Sequence, residues 1–191
     1  YPKFAQQPLK EEYLLTDSLE PTNQWYAIAK ISGVKVCESI RKQFNKEYVS
    51  LMPTNLYGYF DNFDLKSSHV LPAMIRKFHE AKLNNNKPVE LWGTGTPMRE
   101  FLFVEDMADA VVFALENSLP ENLYNIGTGK DVKIKELAET IQSIIGHKGK
   151  ILWDLTKPDG TPRKLMDVSK MKKLGWEYST ELEDGIQKTY Q

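Results

Sequence analysis

Residues 88–129, PVELWGTGTPMREFLFVEDMADAVVFALENSLPENLYNIGTG, decide the fold class. PVELW and REFLFV are short apolar runs separated by GTGTP, where glycine and proline punctuate the chain. VEDMADAVVFALEN follows directly. It is rich in alanine and carries acids at its start, where a helix dipole favours them. NLYNI is a third apolar run, closed by a second GTG. Short strands alternating with a helix predict an α/β fold with at least part of a parallel sheet.

The alternation continues on both sides. Downstream, Ile134, Leu137, Ala138, Ile141, Ile144 and Ile145 recur at helical spacing until Gly146 stops them. KILWD reads as a strand, KPDGTPRK as a loop, and SKMKKLG as a short helix with Gly175 just past its end. Thr180 and Glu183 have the spacing of a capping box for a last helix. Upstream, residues 1–20 read as an irregular loop, and Thr22 or Asn23 caps a helix that runs to about Asn45. YVSLM, residues 48–52, fits a buried strand ended by Pro53, and TNLYG follows as a loop. A second helix lies near 70–83, with Pro72 tolerated in its first turn, and NNNKP breaks it.

The helix after Asn23 carries two apolar stripes. One runs through Tyr26, Lys30, Gly33, Cys37, Ile40 and Phe44, and predicts packing along the whole helix with Cys37 in the core. The other, Ala27, Ile31 and Val34, lies beside it. A helix apolar on two sides needs two partners. One is the sheet; the other is either the same helix of a second subunit or another part of one subunit.

With 191 residues and 41% hydrophobic content, the chain buries one substantial core, or one core plus a lobe. A net charge of −1 and the lack of a long basic run exclude the electrostatic footprint of nucleic-acid binding. The longest apolar run, AVVFAL, is too short to cross a bilayer, and no membrane partner is expected. No secretory signal pattern is present. The single cysteine, Cys37, forms no internal disulfide, which fits a reducing, cytoplasmic setting. The chain opens on YPKFAQQPL without an initiator methionine and ends on TYQ inside a helical pattern, so it reads as a fragment of a longer protein.

Tyr26 and Lys30 stand one helical turn apart on one face. A free phenol titrates near 10 and is a poor acid–base catalyst at neutral pH. A neighbouring ammonium favours the phenolate. Such a tyrosine passes a proton to or from a carbonyl or alcohol while hydride moves at the adjacent carbon. Taken alone, Y-x-x-x-K is equally a core-edge tyrosine beside a solvated lysine.

EPTNQWYAIAK, MPTNLYG, WGTGTPMREFLFVEDMA, YNIGTG and KPDGTPRK together closely resemble the GDP-L-fucose synthase family. These are the GDP-4-keto-6-deoxy-D-mannose epimerase-reductases of the extended short-chain dehydrogenase/reductases. The resemblance runs over essentially the whole chain. It implies NADPH-dependent 3,5-epimerisation of the keto sugar followed by reduction at C4. It makes Tyr26 the proton donor for the reduction, Lys30 its partner and holder of the nicotinamide ribose, and His69 the epimerisation acid. Pro53, Thr54, Asn55 and Leu56 line the nicotinamide, and His69 also borders the cofactor. Lys77, Trp92, Arg99, Asp159 and Lys164 contact the GDP-sugar, with Arg163 nearby. An arginine fork suits a diphosphate, and tryptophan offers a flat face to a base or sugar. Lys77 stands where the family often has arginine. The family commonly dimerises, which makes the 23–45 helix the expected homodimer interface. From the residues alone, His69 is also a helix-capping histidine, Trp92 and Arg99 are ordinary strand residues, and KPDGTPRK is a solvated turn.

The fingerprint G-x-G-x-x-G after a strand is absent, because each GTG lacks a third glycine in a strand–turn–helix setting. The family's catalytic serine and epimerisation cysteine are also absent, and Cys37 does not match the latter. The resemblance therefore implies a C-terminal portion. Residues 1–60 would be the remnant of a Rossmann domain, and residues 61–191 mainly a substrate-binding α/β domain with some segments returning to the Rossmann sheet. By itself this stretch is expected to be inactive. Two rival readings are another nucleotide-sugar epimerase or dehydratase of the same superfamily, and a non-catalytic GDP-sugar-binding or dimerisation module.

Overall fold

The computed structural model describes all 191 residues. A short 3-10 turn, Glu11–Tyr13, interrupts the N-terminal segment before helix α1, Gln24–Phe44. Strands β1 (Ser50–Pro53) and β2 (Asn55–Tyr57) precede α2 (Val70–Leu83), then β3 (Val89–Trp92), β4 (Met98–Phe103) and α3 (Val104–Glu116). The chain continues through β5 (Leu123–Ile126), β6 (Asp131–Lys133), α4 (Ile134–Ile145), β7 (Ile151–Asp154) and β8 (Arg163–Lys164). It ends with α5 (Ser169–Leu174) and α6 (Leu182–Tyr190). The fold is α/β, as the alternation predicts.

Three small sheets share the strands. β1 pairs with β5 in parallel, and β3 pairs with β7 in parallel. β4 is the hub of the third sheet: β8 and β2 pair with it in parallel along one edge, at Met98–Arg99 and Phe101–Phe103, and β6 pairs antiparallel along the other. Two hydrophobic clusters follow this division. One gathers Leu71, Phe78, Leu91, Phe103, Leu137, Ile141 and Ile186 from α2, β3, β4, α4 and α6. The other gathers Leu102, Ala110, Leu119, Tyr124, Ile126, Met171 and Trp176 from β4, α3, β5, α5 and their loops. Successive β4 residues thus face opposite clusters, as the two-residue period of a strand requires.

Several local expectations need correction. The stripe of α1 that packs is Ala27, Ile31 and Val34; Tyr26, Lys30, Gly33 and Phe44 are exposed and only Ile31 is fully buried. Cys37 is half-buried rather than core. Helical spacing fixes which residues share a face, but not which of two apolar faces meets the protein. TNLYG and KPDGTPRK are not wholly loops: they contain β2 and β8, whose two or three residues pair only because β4 is adjacent. The capping box of Thr180 and Glu183 does not form. The last helix has Glu181 at its N-cap without a side-chain cap bond. The N–H groups of Ser179 and Thr180 instead donate to buried Asp106, at 3.0 and 3.2 Å. A tertiary acceptor has replaced the local one.

Candidate functional site

A cavity of about 320 Å³ opens between the N-terminal segment, the head of α1, the β1–β2 junction and β8. Tyr1, Tyr26, Thr54, Asn55, Arg163 and Lys164 are among its walls. Its volume is at the lower end of that of small-molecule sites. Tyr26 reaches it from the first turn of α1 and is 62% exposed. The Lys30 ammonium lies 5.5 Å from the centroid of the Tyr26 ring. The i, i+4 spacing thus brings the two together, with the cation over the ring.

The wall beneath Tyr26 is rigid. Pro53 ends β1, and the Thr54 N–H donates to the Ile126 carbonyl at 2.9 Å. The Thr54 hydroxyl and the Asn55 amide both donate to the carbonyl of Glu100, at 3.2 and 2.8 Å. These side chains anchor β2 to β4. Leu56 is not among the cavity walls and packs against the second hydrophobic cluster.

β8 connects this cavity to a second group of predicted residues. Arg99 on β4 is in register with Lys164 on β8. Burial lowers the pKa of Arg99. Lys164 keeps solvent-exposed surface, but desolvation of its ammonium by the surrounding chain and then the charge of Arg99 lower its pKa, opposed by Glu20. Neither cation forms an ion pair. Arg163 does, with both carboxylate oxygens of Asp131, so its fork is engaged. Gly160 lies against the Arg99 guanidinium, close enough that a Cβ there would stand 2.8 Å from Nη2.

The loop holding Gly160 is clasped to the end of β3. Asp159 accepts from the Thr94 N–H at 2.9 Å and from the Thr94 hydroxyl at 2.7 Å. These bonds lower its pKa. Gly93 has φ 76°, and a Cβ there would lie 2.2 Å from Asp159 Oδ1, so the turn accepts only glycine. Trp92 next to it is 64% exposed, with Lys157 Nζ 5.6 Å from its ring centroid. Tyr26, Lys164, Arg99, Asp159 and Trp92 therefore follow one another across the molecule.

His69 and Lys77 stand apart from this line. His69 is at the N-cap of α2, exposed, with no hydrogen bond from its ring, and is not a wall of the cavity. Lys77 Nζ donates to the Glu90 carbonyl at 2.9 Å.

Sequence reasoning missed three residues. The Tyr1 hydroxyl donates to Asn125 Oδ1, and burial raises the Tyr1 phenol pKa. Asn125, fully buried, donates to the Leu9 and Asp167 carbonyls at 2.8 and 3.1 Å. It thereby holds the N-terminal segment against the chain that follows β8. Glu100 is also fully buried. The available signal was an amide inside NLYNI and an acid inside REFLFV, polar groups in strands that otherwise read as core.

The NAD dependent epimerase/dehydratase family model matches residues 1–127. The chain is 57% identical over 190 residues to GDP-L-fucose synthase 1 of Arabidopsis thaliana, covering all of this chain and 59% of that protein. It is 52% identical over 200 residues to GDP-L-fucose synthase of Escherichia coli (strain K12), covering all of this chain and 62% of that protein. The chain thus spans about three-fifths of the length of these relatives. A GDP-L-fucose synthetase from Naegleria fowleri bound to NADP superimposes with a TM-score of 0.92 at 27% identity, covering all of this chain and 61% of that one. With four parallel strand pairs, a Tyr–Lys pair on one helix face and a family model matched over two-thirds of its length, the chain belongs to the NAD dependent epimerase/dehydratase family.

Proposed function

We propose that the protein carrying this chain converts GDP-4-keto-6-deoxy-D-mannose to GDP-L-fucose, by 3,5-epimerisation and NADPH-dependent reduction at C4. The observation that carries this reading is the register of Arg99 against Lys164. It joins the Tyr26 cavity to the Trp92–Asp159 loop and leaves two cations free for a diphosphate between them. Relatives named GDP-L-fucose synthase, 52–57% identical, support the choice of substrate.

Tyr26 gives its proton to the C4 oxygen. Lys30, beside the ring, restores the charge balance and holds the nicotinamide ribose. Pro53, Thr54 and Asn55 form the nicotinamide wall, with Leu56 packed behind them in the core, and the Glu100 carbonyl and β5 keep it fixed. NADPH supplies the hydride. His69 returns protons to C3 and C5, its exposed ring having no hydrogen-bond partner within the chain. Arg99 and Lys164 bind the diphosphate, and Trp92 presents its face to the base or sugar. Asp159 contacts the nucleotide from the clasped loop. Lys77 joins it on leaving the Glu90 carbonyl.

The same reading makes residues 1–60 part of a Rossmann domain and most of 61–191 a substrate domain, and places the protein in the cytoplasm. No helix is long and apolar enough to cross a membrane. It also makes α1 the interface of a homodimer. Trp25, Ile28, Val36 and Phe44 are exposed along it, and the same face on a second copy covers them by two-fold symmetry.

The test is to incubate the whole protein with NADPH and the keto sugar nucleotide, then identify the sugar that acid releases. Fucose is the expected product. Absence of turnover, or preference for a nucleotide other than guanosine, overturns the reading.

A further inference from the structure

We propose that Glu100 is a positioning residue, which sets the affinity for a nucleoside diphosphate by fixing Lys164 beside Arg99. The inference rests on the diphosphate reading above. Glu100 is not itself a wall of the cavity, but it bonds three residues that are: Thr54, Asn55 and Met166. It is fully buried on β4 and faces no cation within ion-pair distance. Backbone donors serve it instead. Oε2 accepts the Met166 N–H at 2.8 Å, and Oε1 accepts the Gly129 N–H at 2.7 Å. The Thr128 hydroxyl lies 3.4 Å from Oε1.

Each partner is part of a different segment. Met166 lies two residues beyond Lys164, so its N–H bond ties down the exit of β8. Gly129 belongs to the GTG turn after β5, which wraps the carboxylate closely. A Cβ on Gly127 would stand 2.3 Å from Oε1, so only glycine fits there. The acid of REF and the first glycine of GTG are therefore two halves of one device.

Beside Glu100, β8 and its exit are held by a short ladder, by the Arg163–Asp131 ion pair and by a bridge from Leu9 to Met166, in which the Asp167 N–H donates to the Leu9 carbonyl at 2.8 Å. The ladder to β4 is two residues long, Met98 opposite Arg163 and Arg99 opposite Lys164. On its other side, the Leu165 N–H donates to the Gln7 side chain at 2.8 Å and the Leu165 carbonyl accepts from Leu9 at 2.7 Å. Without the carboxylate, the half-buried Met166 N–H loses its acceptor, which is unfavourable for a donor shielded from water. The chain then relaxes, and Lys164 moves with it. The nicotinamide wall responds differently. Thr54 and Asn55 bond the main-chain carbonyl of Glu100, which a substitution leaves in place.

The experiment is a double-mutant cycle in the whole protein, read by calorimetric titration with GDP and separately with NADPH. Glu100→Gln presents one oxygen and one donor to two N–H groups, so one bond is lost. It should weaken GDP binding about ten-fold and leave NADPH affinity within about two-fold. Lys164→Met should weaken GDP binding by a similar factor. The double variant should bind no more weakly than Lys164→Met alone, because Glu100 acts through Lys164. Additive losses, or an equal loss of NADPH affinity, overturn the proposal and leave Glu100 a general stabiliser. If Glu100→Gln does not fold, Glu100→Asp, which withdraws the carboxylate by one methylene, takes its place in the same cycle. If the unsubstituted protein binds no GDP, the functional reading fails. The cycle is then read with inorganic pyrophosphate, and unchanged binding in Glu100→Gln overturns the role of Glu100 itself.

Discussion

Helices α4 and α1 both carry apolar stripes, sharper in α4, and have opposite surroundings. In α4, Leu137, Ala138, Ile141 and Ile145 are all at most 1% exposed, enclosed by α2, β3 and α6. In α1, with nearly twice the residues, only Ile31 is buried, and Trp25 is 76% exposed. The first region is closed on itself: its apolar groups touch each other, and its buried histidine, His147, is bonded by Gln142 and the Lys87 carbonyl. The second presents a phenol with a lysine beside it and a row of apolar side chains. A packed region answers to the fold, whereas a presented one answers to ligands and partners. Substitutions should separate the two.

The largest effect belongs to the packed region. Ile141→Asp in α4 places a charge among apolar groups and should cost more than about 4 kcal/mol, enough to unfold the protein. Its counterpart in α1, Val36→Asp, should change unfolding free energy by no more than about 0.5 kcal/mol. It should instead shift sedimentation from dimer to monomer. If Val36→Asp unfolds the protein, or leaves a dimer intact, α1 is not the presented face described here.

An intermediate effect belongs to His69. His69→Asn should slow epimerisation by about 10²–10⁴-fold, the usual contribution of a general acid. Reduction at C4 should continue on incompletely epimerised substrate. Sugar released by acid should then include 6-deoxy sugars unaltered at C3 or C5. Fucose alone, at an undiminished rate, makes His69 a surface histidine of α2.

The smallest effect concerns pH. Desolvation and Arg99 lower the pKa of Lys164, so it loses its proton at a lower pH than an ordinary lysine, near 10.4. Diphosphate binding needs the cation. GDP affinity should therefore fall as pH rises, and the fall should begin below the range of an unperturbed lysine. Lys164→Arg, which keeps its charge, should abolish that alkaline fall. A flat profile in the unsubstituted protein would show that Lys164 does not face the diphosphate.

The packed region was the more legible of the two. Ile134 through Ile145 read as a helix stopped by Gly146, and so it stands, because its spacing and its cap agree. VELW, REFLF and LYNI are strands for the same reason: apolar runs between glycines have few other ways to be buried. β2 and β8 escaped notice, since pairs this short depend on β4 rather than on their own residues. In the site, Tyr26 with Lys30 was legible from one helical turn. Its neighbour Lys164 was legible only through the family resemblance, because a strand register joins it to Arg99, 65 positions away. Glu100 and Asn125 were invisible as site residues. Their role lies in the backbone groups they hold, which no spacing records.

The central claim is that Tyr26 serves the ketone and not the flanking carbons. The measurement is Tyr26→Phe in the whole protein, following NADPH oxidation and solvent deuterium entry at C3 and C5 in parallel. The account predicts that reduction falls by about 10²–10⁴-fold while deuterium entry continues near its original rate. Equal loss of both, or reduction that survives without the phenol, would contradict it.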